Sequence, residues 1–309
     1  MENEVLYDLV IVGGGPAGMS AALVAGRCRL RAAVINAEQP RNAVTHASHG
    51  FLTRDGIHPM EMLAIARTQL EKYPSVDYRN DAVVTVAKLG DGFDVALRSG
   101  VGLRAHQVIL AGGYRDDIAS AGIDGLEAVY GRSVFPCPFC DGFEHSDERI
   151  ALFGAEGVEH FAPLLKMWTD DLAVFTHGRA LPNDVTSALR RNGVAVYEGR
   201  IARLRSVEGK LTAIELADGS VVKRDSGFLF EDIGVRANDF ASSLGVGSTE
   251  NSWGMMTYEA DAYGKTSVPG VFVVGDARTG FGGLQAAAAE GSGCVQHLVH
   301  ALSSARWKG

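Results

Sequence analysis

The chain has 309 residues, enough to bury a large core and, by length, to form about two domains. Its 46% hydrophobic and 21% charged residues are ordinary for a globular protein, while a formal charge of −8 argues against a general nucleic-acid binder. No apolar run approaches the roughly 20 residues that cross a bilayer, and residues 1–4 are acidic where a secretory signal would be basic, so a cytoplasmic protein is expected.

Residues 6–12 (LYDLVIV) read as a strand running into Gly13-Gly14-Gly15-Pro16-Ala17-Gly18, which fits G-x-G-x-x-G with glycines at 13, 15 and 18. An Ala-rich helix over 19–27 follows, with Pro16 suited to a first helical turn. Strand, glycine turn and helix together are what a dinucleotide fingerprint requires: a tight turn, a backbone open to pyrophosphate and a helix N-terminus aimed at the anion. The next strand, 31–35, would then end in an acid that grips a ribose. Here it ends in Asn36, whose amide can still bond a hydroxyl, with Glu38 two residues on.

Residues 40–58 form a long polar loop that starts with Arg41 and Asn42 and holds His46, His49 and His58. Loops of this length inside a compact domain are often functional, but each histidine reads as a surface or satisfied group ahead of a catalytic one. A helix is expected over 59–72 and strands near 82–88, 93–98 and 106–111. The last strand ends in Ala111-Gly112-Gly113, where glycine lets backbone pass close to a ligand.

Cys137-Pro138-Phe139-Cys140-Asp141-Gly142 carries two of only four cysteines. Zinc needs a second ligand pair, and Cys28 and Cys294 stand alone in apolar, small-residue segments. Two buried structural thiols are a further reading. A redox pair is favoured, because sulfurs at this spacing can close a small ring and a helix starting at the motif would stabilise a thiolate. Asp141 can hold or pass a proton, and His145 either shares that role or is a solvated residue of the next turn. Near the C-terminus a buried strand over 269–274 is closed by Gly275-Asp276, and a helix over 285–301 opens at Leu284-Gln285. Asp276 can bind a hydroxyl chain or simply cap a turn, and the helix N-terminus can stabilise negative charge on a reduced ring. With the first fingerprint, these pieces suggest one split domain for a flavin dinucleotide.

GGGPAG at 13–18, AGG at 111–113, CPFCDG at 137–142 and TSVPGVFVVGD at 266–276, in this order, make the chain resemble the low-molecular-weight thioredoxin reductases and their flavoprotein relatives over nearly its whole length. The resemblance implies an α/β fold of two Rossmann-like, three-layer (ββα) domains: a split FAD domain of residues 1–116 and 244–309, and an inserted domain, 117–243, that carries the cysteines. It also implies a homodimer, Cys140 facing the flavin, Cys137 exchanging with substrate and Asp141 as acid/base group. The expected FAD contacts are Gly13, Gly15, Pro16, Ala17, Gly18, Asn36, Glu38, Arg41, Asn42, Ala111, Gly112, Gly275, Asp276, Gln285 and Ala286.

The inserted domain departs from the family. Its strand 150–153 leads into Gly154-Ala155-Glu156-Gly157-Val158-Glu159, where Glu156 replaces the middle glycine of an NADPH fingerprint. At about 4 Å from a pyrophosphate charge that carboxylate would cost about 4 kcal/mol at intermediate dielectric, roughly a thousandfold in affinity. The family's basic HRR cluster is reduced to Arg179 within Phe175-Thr176-His177-Gly178-Arg179, although a one-residue shift onto Gly157 would restore a glycine turn. CPFCDGFE looks closest to the NADPH-independent dithiol oxidases that close disulfides in metabolites such as gliotoxin and holomycin. That resemblance implies a FAD-dependent dithiol oxidase acting on a small-molecule dithiol. The alternatives are a thioredoxin reductase fed by ferredoxin or another donor, with a thioredoxin-like partner, and a flavin-bearing redox sensor.

Overall fold

The computed structural model describes residues 6–231, 233–251 and 254–308; the acidic residues 1–4 lie outside them. The chain divides into two compact units. The first takes the described parts of Met1–Ala43, Ile57–Arg115 and Gly234–Gly309, and the second takes Val44–Gly56 and Asp116–Ile233. The chain re-enters the first unit at Gly234 and not at 244, because the short strand Gly234–Arg236 pairs with Tyr114–Asp116. The loop 44–56 groups with the second unit against sequence order, since Val44 lies directly on Gly131.

The first unit holds β1 (Leu6–Val12), β2 (Ala32–Asn36), β3 (Val76–Asn80), β4 (Val83–Leu89), β5 (Gly92–Leu97) and β6 (Gly102–Leu110) in the order β3-β2-β1-β6-β5-β4. The first four run parallel, and β5 and β4 return antiparallel. The far half of β6 also pairs with Val271–Val273. Central β1 is apolar throughout because both of its faces are covered. Val10 and Val12 point into a core with Phe93 and Val95, while Leu9 and Ile11 point into one with Ala21, Ala25 and Leu298. Each such aliphatic side chain contributes about 1.5–3 kcal/mol on burial. The second face is covered by α1 (Pro16–Arg27) and the C-terminal helix Gly283–Lys308.

In the second unit a parallel sheet runs Ala195–Tyr197, Leu172–Phe175, Ile150–Phe153, Ser226–Leu229, Val134–Phe135. One face packs Phe153 and Phe175 against Ile201, Leu204 and Ile214 of a three-stranded antiparallel sheet. The other packs Leu152, Val174 and Phe228 against the helices Val158–Leu165 and Asn183–Arg191. Each unit is thus a three-layer α/β body of Rossmann type. The expected elements are present with shifted ends: the helix over 59–72 stops at Leu70, the strand over 106–111 starts at Gly102, and the helix over 285–301 spans Gly283–Lys308.

Candidate active site and cofactor cradle

In the first unit the expected cofactor residues gather at the carboxyl ends of the parallel strands, where such sheets bind dinucleotides. Gly13 and Gly18 are fixed by the protein itself. A Cβ on Gly13 would stand 2.4 Å from the Ala111 carbonyl oxygen, and one on Gly18 would stand 1.8 Å from that of Gly13. Gly15 differs. A Cβ there meets nothing within 4 Å, although Gly15 is the N-cap of α1 and Pro16 begins the helix. The fold leaves that space open, which is what a group bound at the helix N-terminus requires.

The end of β2 is more elaborate than the sequence suggested. Asn36 is buried; its Nδ2 donates to the Tyr78 hydroxyl at 3.0 Å and its Oδ1 accepts the Glu38 N–H at 3.0 Å. Glu38 accepts from the Tyr78 hydroxyl at 3.1 Å and from Asn80 Nδ2 at 2.9 Å. The amide thus orders the turn, while Glu38 is the acid held by β3. No local sequence pattern links Tyr78 and Asn80 to residue 38, about 40 positions away.

The other expected residues converge on the same turns. Gly275 faces the Ala17 methyl, with 3.0 Å between that methyl and a Cβ built on Gly275. Asp276 Oδ1 accepts the Gly282 N–H at 3.2 Å, and Gln285 and Ala286 are exposed on the first turn of the C-terminal helix. Gly112 lies against Asn238. Arg41, in the single turn Arg41–Val44 that also holds Asn42, stacks over the Phe281 ring at 4.9 Å. Glu290 joins the site without any local motif to signal it. It accepts the Gly275 N–H at 2.8 Å and pairs with Arg278 at 2.9 Å, anchoring the Gly275-Asp276 turn to the C-terminal helix.

In the second unit Cys137 caps the helical turn Pro138–Asp141, and its carbonyl accepts the N–H groups of Cys140 (3.2 Å) and Asp141 (3.3 Å). Both cysteines are free thiols; Cys137 is 5% exposed and Cys140 half-buried. The Cys140 thiol and the Cys140 and Phe139 N–H groups bond the Cys137 sulfur and pull its pKa down, against burial and the Asp141 charge. Asp141 is pushed up to about 7, mainly by burial and further by Glu144. Phe139 and Phe143 are 75% and 80% exposed, and Phe139 packs edge-on to Trp168 at 6.1 Å. His145 is engaged elsewhere: its Nδ1 lies 2.8 Å from Glu148 and its ring packs on Phe135. Of the loop histidines, His46 is exposed, His58 caps the helix Pro59–Leu70 by accepting the Met60 N–H, and His49 faces Glu144.

The same unit has its own crevice at the strand ends after Phe153, Phe175 and Leu229. Gly157 is the N-cap of the helix Val158–Leu165, and the Phe161 ring stacks on Phe230 at 3.7 Å. Arg179 donates to Glu231. Glu231 is pushed up by burial, and by Glu156, against the pull of Arg179. His177 accepts the Ile201 N–H at 3.2 Å and is pushed down by burial and by Arg200 and Arg179. The crevice thus holds an arginine already paired with an acid, and a histidine disfavoured as a cation.

Two Rossmann-type units, one presenting an open glycine cradle and one a C-x-x-C pair beside a half-buried acid, define a disulfide oxidoreductase. The chain belongs to the pyridine nucleotide-disulphide oxidoreductase family, whose model matches residues 7–291. It is similar to the solved structure of TrxB from Bacillus anthracis, with a TM-score of 0.91, 31% identity and coverage of 97% of this chain and 99% of that one. It is also similar to HlmI, with a TM-score of 0.89, 32% identity and coverage of 98% and 94%. A probable thioredoxin reductase of Arthroderma benhamiae is 31% identical over 182 residues, which is 57% of this chain and 45% of that protein. The family's members are FAD-binding flavoproteins of thioredoxin reductase-like form. The open space at Gly15 fits such a cofactor.

Proposed function

We propose that this protein is a FAD-dependent dithiol oxidase that works without a nicotinamide donor. The observation that carries this reading is the crevice of the second unit, where Arg179, the arginine that follows the strand Leu172–Phe175, is taken by Glu231. The residues proposed to hold FAD are Gly13, Gly15, Pro16, Ala17 and Gly18 at the pyrophosphate, Asn36, Glu38, Arg41 and Asn42 near the ribose, and Ala111, Gly112, Gly275, Asp276, Gln285 and Ala286 along the rest. Bound FAD supplies a two-electron acceptor, with dioxygen as the final one.

A substrate thiolate attacks the Cys137 sulfur of the oxidised pair, and Cys140 leaves as a thiolate. The second substrate thiol then attacks the substrate sulfur of the mixed disulfide, releasing Cys137 and the cyclised disulfide product. Two protons leave the substrate in all, and Asp141, next to Cys140 in the chain, is the group proposed to take one. Because Cys137 is buried, exchange requires local opening at the turn Pro138–Asp141. The exposed rings of Phe139 and Phe143 suit an apolar dithiol; they also suit a thioredoxin-like protein, the partner in the alternative reading of a reductase fed by another donor. A homodimer is part of the proposal by family likeness.

Anaerobic titration with small dithiols, reduced ferredoxin, NADH and NADPH, following the flavin colour, tests the reading. Two further outcomes are expected. Gly15→Glu fills space that the protein leaves empty, so it should fold yet emerge with FAD content reduced at least about tenfold, a loss of about 1.4 kcal/mol or more. Unchanged flavin absorbance would place the cofactor elsewhere. Asp141 accepts a proton only as carboxylate, so dithiol-driven reduction should rise with pH through about 7. In Asp141→Asn that rise should vanish; a pH–rate profile that keeps it would assign the step to another group.

A further inference from the structure

We propose that His49, from the loop that crosses to the second unit, is a positioning residue for proton transfer at the cysteine pair, acting on Asp141 through Glu144. This rests on the proposed oxidoreductase role of that pair. The loop is held by its own bonds: the Gly56 N–H donates to the Ser48 carbonyl at 3.0 Å, the Arg54 N–H to Phe51 at 2.8 Å and the Gly50 N–H to Asp55 Oδ1 at 2.8 Å. Val44 at its base rests on Gly131, which ties it to the body that carries the cysteines.

That arrangement sets His49 Nδ1 at 3.5 Å from Glu144 Oε1 and 3.7 Å from Asp55 Oδ1, with the imidazole only 20% exposed. Glu144 lies three residues past Asp141, in the short turn Phe143–His145, and its charge adds to the burial that keeps Asp141 protonated up to about neutral pH. The charged neighbours are therefore Glu144 and Cys137 around Asp141, and Asp55 and Glu144 around His49. His145 is closer in sequence but is held by Glu148. A half-buried ring within 4 Å of two carboxylates restrains where Glu144 sits, and so the field that Glu144 exerts on Asp141.

The test uses the reduced FAD-loaded protein and follows alkylation of the Cys137/Cys140 pair by iodoacetamide from about pH 5 to about pH 9. The Asp141 charge raises the Cys137 pKa, so ionisation of Asp141 marks the profile with an inflection near 7. His49→Ala should move that inflection by about half a pH unit, a roughly threefold change in the ratio of ionised to protonated Asp141 at a given pH. It should move nothing further in a Glu144→Gln background. His49→Asn keeps an N–H beside Glu144 and should keep the wild-type profile. No shift in His49→Ala, an equal shift in both backgrounds, or an equal shift in His49→Asn overturns the proposal. Alkylation needs neither dithiol substrate nor oxygen, so failure of the oxidase reading leaves a different signature: a normal cycle of variants without dithiol turnover.

Discussion

Micromolar NADPH is expected to leave the oxidised protein yellow under nitrogen, whereas a small dithiol bleaches it and air restores the colour with formation of hydrogen peroxide. Position decides which group matters most. Glu156 is exposed, so its repulsion of a phosphate is nearer the bulk-water value of about 1 kcal/mol at 4 Å than the 4 kcal/mol of a less solvated site. Arg179 is the second obstacle. A phosphate must displace Glu231 from it, which for so exposed a pair costs up to about 1 kcal/mol, and then meets the half-buried carboxylate left facing the ligand. Glu156→Gly should therefore yield at most slow reduction, with NADH no worse than NADPH. Rapid bleaching of the unaltered protein by micromolar NADPH would return the chain to the nicotinamide-dependent reductases.

Cys137→Ser and Cys140→Ser should each abolish dithiol turnover, a loss of at least about a thousandfold, because neither serine can form or leave a disulfide. The two variants should nevertheless differ. In Cys140→Ser a hydroxyl takes over the donor role of the Cys140 thiol, so the Cys137 thiolate should keep its lowered pKa when its ultraviolet absorbance is titrated, whereas Cys140→Ala removes that donor and should move the thiolate to higher pH. In Cys137→Ser that early thiolate should be missing. Near-normal oxidation by either variant would mean that electrons bypass the pair.

The parts of this molecule that could be read from sequence are those set by neighbours in the chain. β1 announces itself because a central strand covered on both faces must be apolar, and the Gly13–Gly18 turn because Gly13 and Gly18 meet backbone at distances no side chain permits. The Cys137-to-Asp141 turn was legible for the same local reason. β3 was not, since Val76–Asn80 is an edge strand of half-buried, largely polar residues, and its partners for Glu38 lie far along the chain. Nor was the placement of loop 44–56 with the second unit, where a contact between Val44 and Gly131 outweighs covalent proximity. Arg179 looked like the remnant of a phosphate site because its acid, Glu231, is distant in sequence.

The strand pair formed by Tyr114–Asp116 and Gly234–Arg236 brings the exit and the re-entry of the first unit side by side. The two halves are then stitched by β6 against Val271–Val273, by α1 against the C-terminal helix, and by Glu290 at the Gly275 turn. The stitches of the first unit thus lie within its own residues, whereas loop 44–56 rests on the intervening segment through Val44 and Gly131. With its two ends paired in one short ladder, the segment between them is an insertion by geometry: a reverse turn from Asp116 to Gly234 would close the chain without stretching the sheet.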